Sequence, residues 1–513
     1  MSPPLAPGRP GGFGTYDARA MRILHVAWEY PPVLYGGLGR HVHALANAQA
    51  RHGHDVVVIT QGPAGAGPGH PEEPGPVRVL RAAGGPAGHG GGELLDHVAQ
   101  MEWAFASCGE ELLSTWLPEV VHAHDWMVSH AAVALRPLSG APLVATIHAT
   151  EAGRNGGWVS NDLSTTLHSI EWWLANTADA VITCSAAMDR EVRTLFDIGP
   201  TTIIPNGIDV ADWQCPADAA ARIRAENADA SPLIAYTGRV EWEKGVQTIL
   251  AAMPALRRAH PGIRLLVAGR GSYLPSLVAQ AEGLGLGDSA RFLGWVSEED
   301  LRAIVCAADL VIAPSLYEPF GLVALEAAAL RAPVVVSRIG GLAEFAANGE
   351  RAGLFPPGSP EGLSLAIEAD LADPTGARAR AESAHRDVVE RFDWARIAER
   401  TVALYRSARS RITGAGADGP GAVAAAGVED EADAERVNPA GGADPAGGGV
   451  HPTGGGLSGD GADPAGGGLH QTGGGLPGDG VRPAGGGVGP VPWHHVQRPR
   501  YASPPGRLLD SGR

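Results

Sequence analysis

The chain has 513 residues, 44% apolar and 19% charged, with a formal net charge of −17. That length exceeds one small domain, and the apolar fraction suits a globular protein with sizeable cores. The acidic balance argues against a general nucleic-acid binder and a polybasic membrane anchor, and no run of about 18 apolar residues offers a transmembrane segment.

Residues 1–20 are rich in Pro and Gly, lack an apolar signal core, and read as a disordered extension. Met21 opens the first strand, 21–28, and the apolar spacing of Leu38, Val42, Leu45 and Ala46 then gives a helix. Further strand-like runs follow at 56–60, 119–124, 142–148, 180–185 and 202–205, with helical windows between them. A polar, Ala-rich connection at 212–231 interrupts the pattern, which restarts with runs at 233–239, 263–269, 290–295, 310–315 and 332–337. Short apolar strands alternating with helices indicate parallel sheets with crossovers. The expected fold is α/β: a doubly wound domain at 21–211, a hinge at 212–231, a second doubly wound domain at 232–390 and a closing helical segment at 391–412. From 413 to 513 Gly, Pro and Ala dominate; DPAGGG begins at Asp444 and Asp463 and RPAGGG at Arg482, a 19-residue repeat. With so few large apolar side chains this tail cannot offset its ordering entropy and reads as disordered. Cys108, Cys184, Cys215 and Cys306 are widely spaced with no CxxC pair, which fits a reducing, cytoplasmic setting better than a disulfide framework.

Ligands of open α/β sheets sit beyond the carboxyl ends of the strands, so the loops there carry the candidate chemistry. Gly36 and Gly37 precede a helix, as a tight turn or as a loop admitting an anion to free helix amides. His122-Ala123-His124-Asp125 ends a strand. It reads as metal ligands or as a polar cluster facing a cleft, and the lack of a further Cys/His/Asp cluster at ligand spacing favours the cluster. His148 ends the next strand. Arg239 and Lys244, five residues apart, suit a diphosphate, the first as a bidentate fork and the second as a point charge; a salt-bridged turn with Glu241 and Glu243 is the bland alternative. In Glu318-Pro319-Phe320-Gly321-Leu322-Val323-Ala324-Leu325-Glu326, Pro319 suits a first helical turn and the helix runs through Leu330. On such a helix Glu318 and Glu326 would lie about 80° apart, and the amides of Gly321, Leu322 and Val323 would face a phosphate. No Asp-x-Asp metal motif stands out, so neither metal nor cofactor is expected.

YGGLGRHV, HAHDW, TIHATEAGR, IPNGID, GRVEWEKG and EPFGLVALE occur in this order across 21–405. Together they resemble the retaining, nucleotide-sugar-dependent GT-B glycosyltransferases of the glycogen synthase-like family, closest to actinobacterial α-1,4-glucosyltransferases. The resemblance implies two Rossmann-like domains facing a cleft. It also implies transfer of a hexose, glucose by this likeness, from a UDP- or ADP-sugar to a glucan or oligosaccharide. Gly36 and Gly37 would then lie against the donor pyrophosphate, and Arg239 and Lys244 would neutralise the leaving diphosphate. Glu318 would bind the transferred sugar and Glu326 the ribose. The amides of Gly321 to Val323 would complete the phosphate site, and the backbone at Val296 would touch the base. His148 would contact the sugar, and Asp125 would lie near the acceptor. One departure concerns the donor: starch and bacterial glycogen synthases carry Lys two residues before the glycine pair, where this chain has Leu34. A sugar phosphate or lipid-linked acceptor, a nucleotide-sugar epimerase and an inactive glycan-binding protein are the alternatives; the joint presence of Arg239, Lys244, Glu318 and Glu326 favours transfer.

Overall fold

The computed structural model describes residues 20–62, 75–82 and 91–414, the side chains of 91–93 excepted. The expected N-terminal extension, except residue 20, and the repeat-containing tail from 415 onward lie outside the described residues. Seven strands form the first sheet: β1 (Arg22–Ala27), β2 (Asp55–Gln61), β3 (Arg78–Ala82), β4 (Val120–His124), β5 (Leu143–Ile147), β6 (Ala180–Thr183) and β7 (Thr202–Ile203). Six form the second: β8 (Leu233–Thr237), β9 (Arg264–Ala268), β10 (Ala290–Gly294), β11 (Leu310–Ala313), β12 (Val334–Ser337) and β13 (Gly353–Phe355). The orders are β3-β2-β1-β4-β5-β6-β7 and β10-β9-β8-β11-β12-β13, and every pairing is parallel. Apolar side chains cover both faces of each sheet, which is why the strands read as continuous apolar runs. Strand order reverses between β1 and β4 and between β8 and β11. These switch points, beyond the strand carboxyl ends, are where such sheets hold ligands.

The last helix, Trp394–Thr413, packs along Gly37–Arg51 and places Tyr405 wholly buried in the first sheet's core beside Ile23 and Val120. The connection at 212–231 contains a helix, Ala217–Glu226, packed on Glu298–Ala307. That packing brings Cys215 and Cys306, 91 residues apart in sequence, to a Cα separation of 6.1 Å, so two of the widely spaced cysteines are neighbours in the fold. A correction concerns the helix after β11. It spans Leu322–Ala329 and is preceded by Gly321 at φ 106°, a non-helical angle that stops it from reaching back to Pro319. Glu318 therefore stands before the helix, and the 80° argument does not apply to it. Among the described residues no helix is long and apolar enough to cross a membrane.

A candidate active site between the two sheets

The second sheet supplies the cations. Arg239 follows β8, and Lys244 ends a short 3-10 turn, Trp242–Lys244. Gly245 holds φ 73°, and a Cβ there would lie 2.0 Å from the Pro314 carbonyl oxygen, so only glycine lets this loop close on the end of β11. The backbone amides of Leu316 and Tyr317 donate to the Glu243 carbonyl at 2.8 and 3.2 Å, joining the two loops. Lys244 Nζ donates to Glu318 Oε2 at 2.9 Å, and Ser315 Oγ donates to the same oxygen at 2.9 Å. The Arg239 guanidinium donates to Glu243 at 3.3 Å. Both cations thus hold carboxylate partners, but only Glu243 of the expected salt-bridged turn takes part: Glu241 accepts from the Ser272 amide and hydroxyl instead. The helix Leu322–Ala329 opens near this loop: a Cβ on Gly238 would lie 3.6 Å from Val323 Cγ2, and the Leu322 and Val323 amides precede the first bonds, which the Ala324 and Leu325 amides make to the Gly321 carbonyl.

The first sheet supplies the facing loop. Glu29, just beyond β1, accepts from the amides of Tyr35 and Gly36 at 2.8 and 2.9 Å. The loop then meets the second sheet's residues closely. A Cβ on Gly36 would lie 3.5 Å from Arg239 Cδ, and one on Gly37 would lie 2.7 Å from Leu322 Cδ1. Arg40 donates to Glu326 Oε1 at 3.4 Å and lies 3.7 Å from Glu298. Burial pushes the Glu326 carboxyl up to about 7, with the Arg40 charge opposing. Val296 lies two residues before Glu298, half-buried against the second sheet's core.

Asp125 and His148 end β4 and β5 and join each other: the His148 amide donates to Asp125 Oδ1 at 2.7 Å. Asp125 sits at φ 62°, ψ −178°, a region that non-glycine residues occupy only under strain and mostly at functional sites. Burial pushes its carboxyl up to about 6, moderated first by the Arg154 charge. His148 continues a buried chain of imidazoles. Gln49 Oε1 meets His25 Nε2 at 2.8 Å, His25 Nδ1 meets His124 Nε2 at 3.0 Å, and His124 Nδ1 meets His148 Nε2 at 3.3 Å. Burial holds these rings neutral, His25 down to about 4 and His148 to about 3. Tyr317, beside Glu318, accepts from the Thr150 amide at 3.2 Å and donates to Glu191 at 2.8 Å, tying the His148 loop to the second sheet.

The structure therefore brings Gly36, Gly37, Arg239, Lys244, Glu318 and Leu322 to one cleft. Glu326 joins them through Arg40, and the loop of Asp125 and His148 is tied to the second sheet through the Thr150 amide and the Tyr317 hydroxyl. Sequence reasoning missed Glu29, Arg40, His25, His41, Gln49, Arg154 and Tyr317. Arg154 closes the quoted TIHATEAGR, and Glu29 is an acid just past an apolar strand, so both left a signal.

Twin parallel sheets whose loops face each other beyond their switch points define the GT-B architecture. Residues 35–212 match the family described as Glycosyltransferase Family 4, and residues 219–387 that described as Glycosyl transferases group 1. Glycogen synthase of Mycobacterium tuberculosis (strain ATCC 25618 / H37Rv) is 44% identical over 401 residues, which cover 76% of this chain and 95% of that relative. Alpha-maltose-1-phosphate synthase of Mycolicibacterium smegmatis is 32% identical, over 75% of this chain and 99% of that protein. The solved sucrose-phosphate synthase of Thermosynechococcus elongatus superposes with a TM-score of 0.67 at 26% identity, over 77% of this chain and 100% of that one. The chain belongs to the glycogen synthase-like GT-B glycosyltransferases.

Proposed function

We propose that the protein transfers glucose from a nucleoside diphosphate donor, UDP- or ADP-glucose, to the 4-hydroxyl of a glucan or maltooligosaccharide with retention of configuration. The observation that carries this is the convergence of Arg239, Lys244, the amides beginning Leu322–Ala329 and the Gly36–Gly37 loop on one cleft. In this reading the donor diphosphate lies among these groups. As the bond from sugar C1 to the phosphate oxygen breaks, Arg239, Lys244 and the helix N-terminus stabilise the growing negative charge without a metal. The acceptor hydroxyl attacks C1 from the face the phosphate leaves, and its proton passes to a phosphate oxygen of the departing diphosphate. Ser315 and Lys244 orient Glu318 toward the transferred sugar. His148 holds a sugar hydroxyl, and Asp125 faces the acceptor. Glu326 takes the ribose hydroxyls once Arg40 yields, and the backbone at Val296 touches the base. A hinge at 212–231 between the lobes 21–211 and 232–390 would close them over the donor and limit hydrolysis. A cytoplasmic location fits, since the donors are nucleotides. The test is a donor screen, UDP-, ADP- and GDP-glucose against glycogen, maltose and glucose 1-phosphate, with product linkage determined. An α-1,4 product from glycogen or maltose is expected. Turnover on glucose 1-phosphate alone would replace the glucan acceptor, and conversion of donor without acceptor would indicate an epimerase.

A further inference from the structure

Three histidines from separate elements converge behind the cleft: His41 on helix Gly37–Arg51, His124 at the end of β4 and His148 after β5. One ring nitrogen of each lies within 4.8 Å of the others. Their tautomers follow from their partners. His41 Nδ1 lies 2.8 Å from Asn206 Oδ1, an acceptor only, so the proton is on Nδ1 and Nε2 is a bare lone pair. His41 Nε2 is buried and has no partner among the described residues. Gln49 Oε1 likewise keeps the proton of His25 on Nε2; His25 Nδ1 then accepts from His124 Nε2, which leaves His124 Nδ1 a lone pair facing His148.

His41 and His124 are held as metal-binding histidines are: the outer N–H is engaged by a fixed acceptor and the inner nitrogen is presented bare. Two nitrogens bound tetrahedrally to zinc at about 2.0–2.1 Å stand about 3.3 Å apart, and His124 Nδ1 and His148 Nε2 are separated by 3.3 Å. His148 completes the set by moving its proton from Nε2 to Nδ1, with no change of charge. His122 is not part of it, because its nitrogens are occupied by the Tyr405 hydroxyl at 2.5 Å and Thr146 Oγ1 at 2.7 Å. Three neutral imidazoles suit zinc-class cations and not magnesium or calcium.

We propose that His41, His124 and His148 bind one divalent cation of the zinc class, and that binding draws His148 off the sugar and inhibits transfer. The inhibitory half rests on the reading of His148 as a sugar contact; the binding half does not. The test uses full-length protein freed of metal by chelation and titrated with zinc chloride by calorimetry, with zinc-edge X-ray absorption on the loaded sample. One saturable site per chain with three nitrogen ligands near 2.0 Å is expected. His41→Gln should abolish it, and Asn206→Ala, which removes only the acceptor behind His41, should weaken it about 10- to 100-fold. Zinc should inhibit the unaltered enzyme and spare His41→Gln. Absence of saturable binding, or binding unchanged in both variants, overturns the site. Binding that responds to both variants but leaves turnover untouched keeps the site and overturns the sugar contact of His148.

Discussion

Burial sets several carboxyl groups near the cleft against their charge. Glu326 is pushed up to about 7, so it is neutral below that pH and anionic above it. If it holds the ribose hydroxyls as an anion, the donor KM falls as pH rises from about 6 to 8. Glu326→Gln should flatten that slope and raise KM at pH 8; a slope unchanged by the substitution would exclude the assignment. Glu171 lies beneath the His148 loop, accepting from the Glu151 amide at 2.9 and 3.1 Å, and burial pushes it up to about 8. A carboxyl whose pKa is raised on folding contributes stability below its unfolded value, and that contribution is lost as pH climbs through the folded one. Glu171→Gln should therefore leave Tm nearly unchanged near pH 5 and raise it near pH 9, where the stability gained is on the order of a few kcal/mol. Thermal melts across that range check it. His25 shows why part of the site was hard to read. It is one polar residue inside an apolar strand, and its partners Gln49 and His124 come from a helix and from a strand about a hundred residues on. Only the sheet order, with β1 against β4, makes them neighbours.

Among the elements, the short loop carrying Lys244 depends on one glycine. Gly245→Ala adds strain at φ 73° and a clash with the Pro314 carbonyl, so Lys244 moves away from Glu318. It should cost about 1–3 kcal/mol of stability and most of the kcat. Lys244→Ala, read alongside, should lower kcat about 10²- to 10³-fold while circular dichroism stays native. Steady-state kinetics and melts separate the two, and undiminished turnover in Lys244→Ala would remove the lysine from the chemistry. Most strands were legible because each lies between two apolar layers and reads as an unbroken run. β3 (RVLRA) and β13 (GLF) escaped, the first for its arginines and the second for its three residues. The helix Leu322–Ala329 was legible, but its start was set by Gly321 and not by Pro319.

On the scale of the molecule, the two sheets meet across the cleft through Arg40 with Glu326, Ser185 with the Pro319 carbonyl at 2.6 Å, and Tyr317 with Thr150. The last helix ends at Thr413 with Gly414 as its left-handed cap, beyond every residue assigned to the site. A chain ending at Gly414 should keep full transferase activity and an unchanged melt; loss of activity with normal folding would give the Gly/Pro-rich tail a catalytic part. The central claim is that the cleft grips an activated sugar by its diphosphate. A crystal structure with UDP-glucose or ADP-glucose, whichever the screen selects, tests it directly. The account predicts the diphosphate within hydrogen-bond reach of Arg239, Lys244 and the amides of Gly321 to Val323, with the sugar between Glu318 and His148. A donor bound away from these groups, with both cations still paired to Glu243 and Glu318, would contradict it.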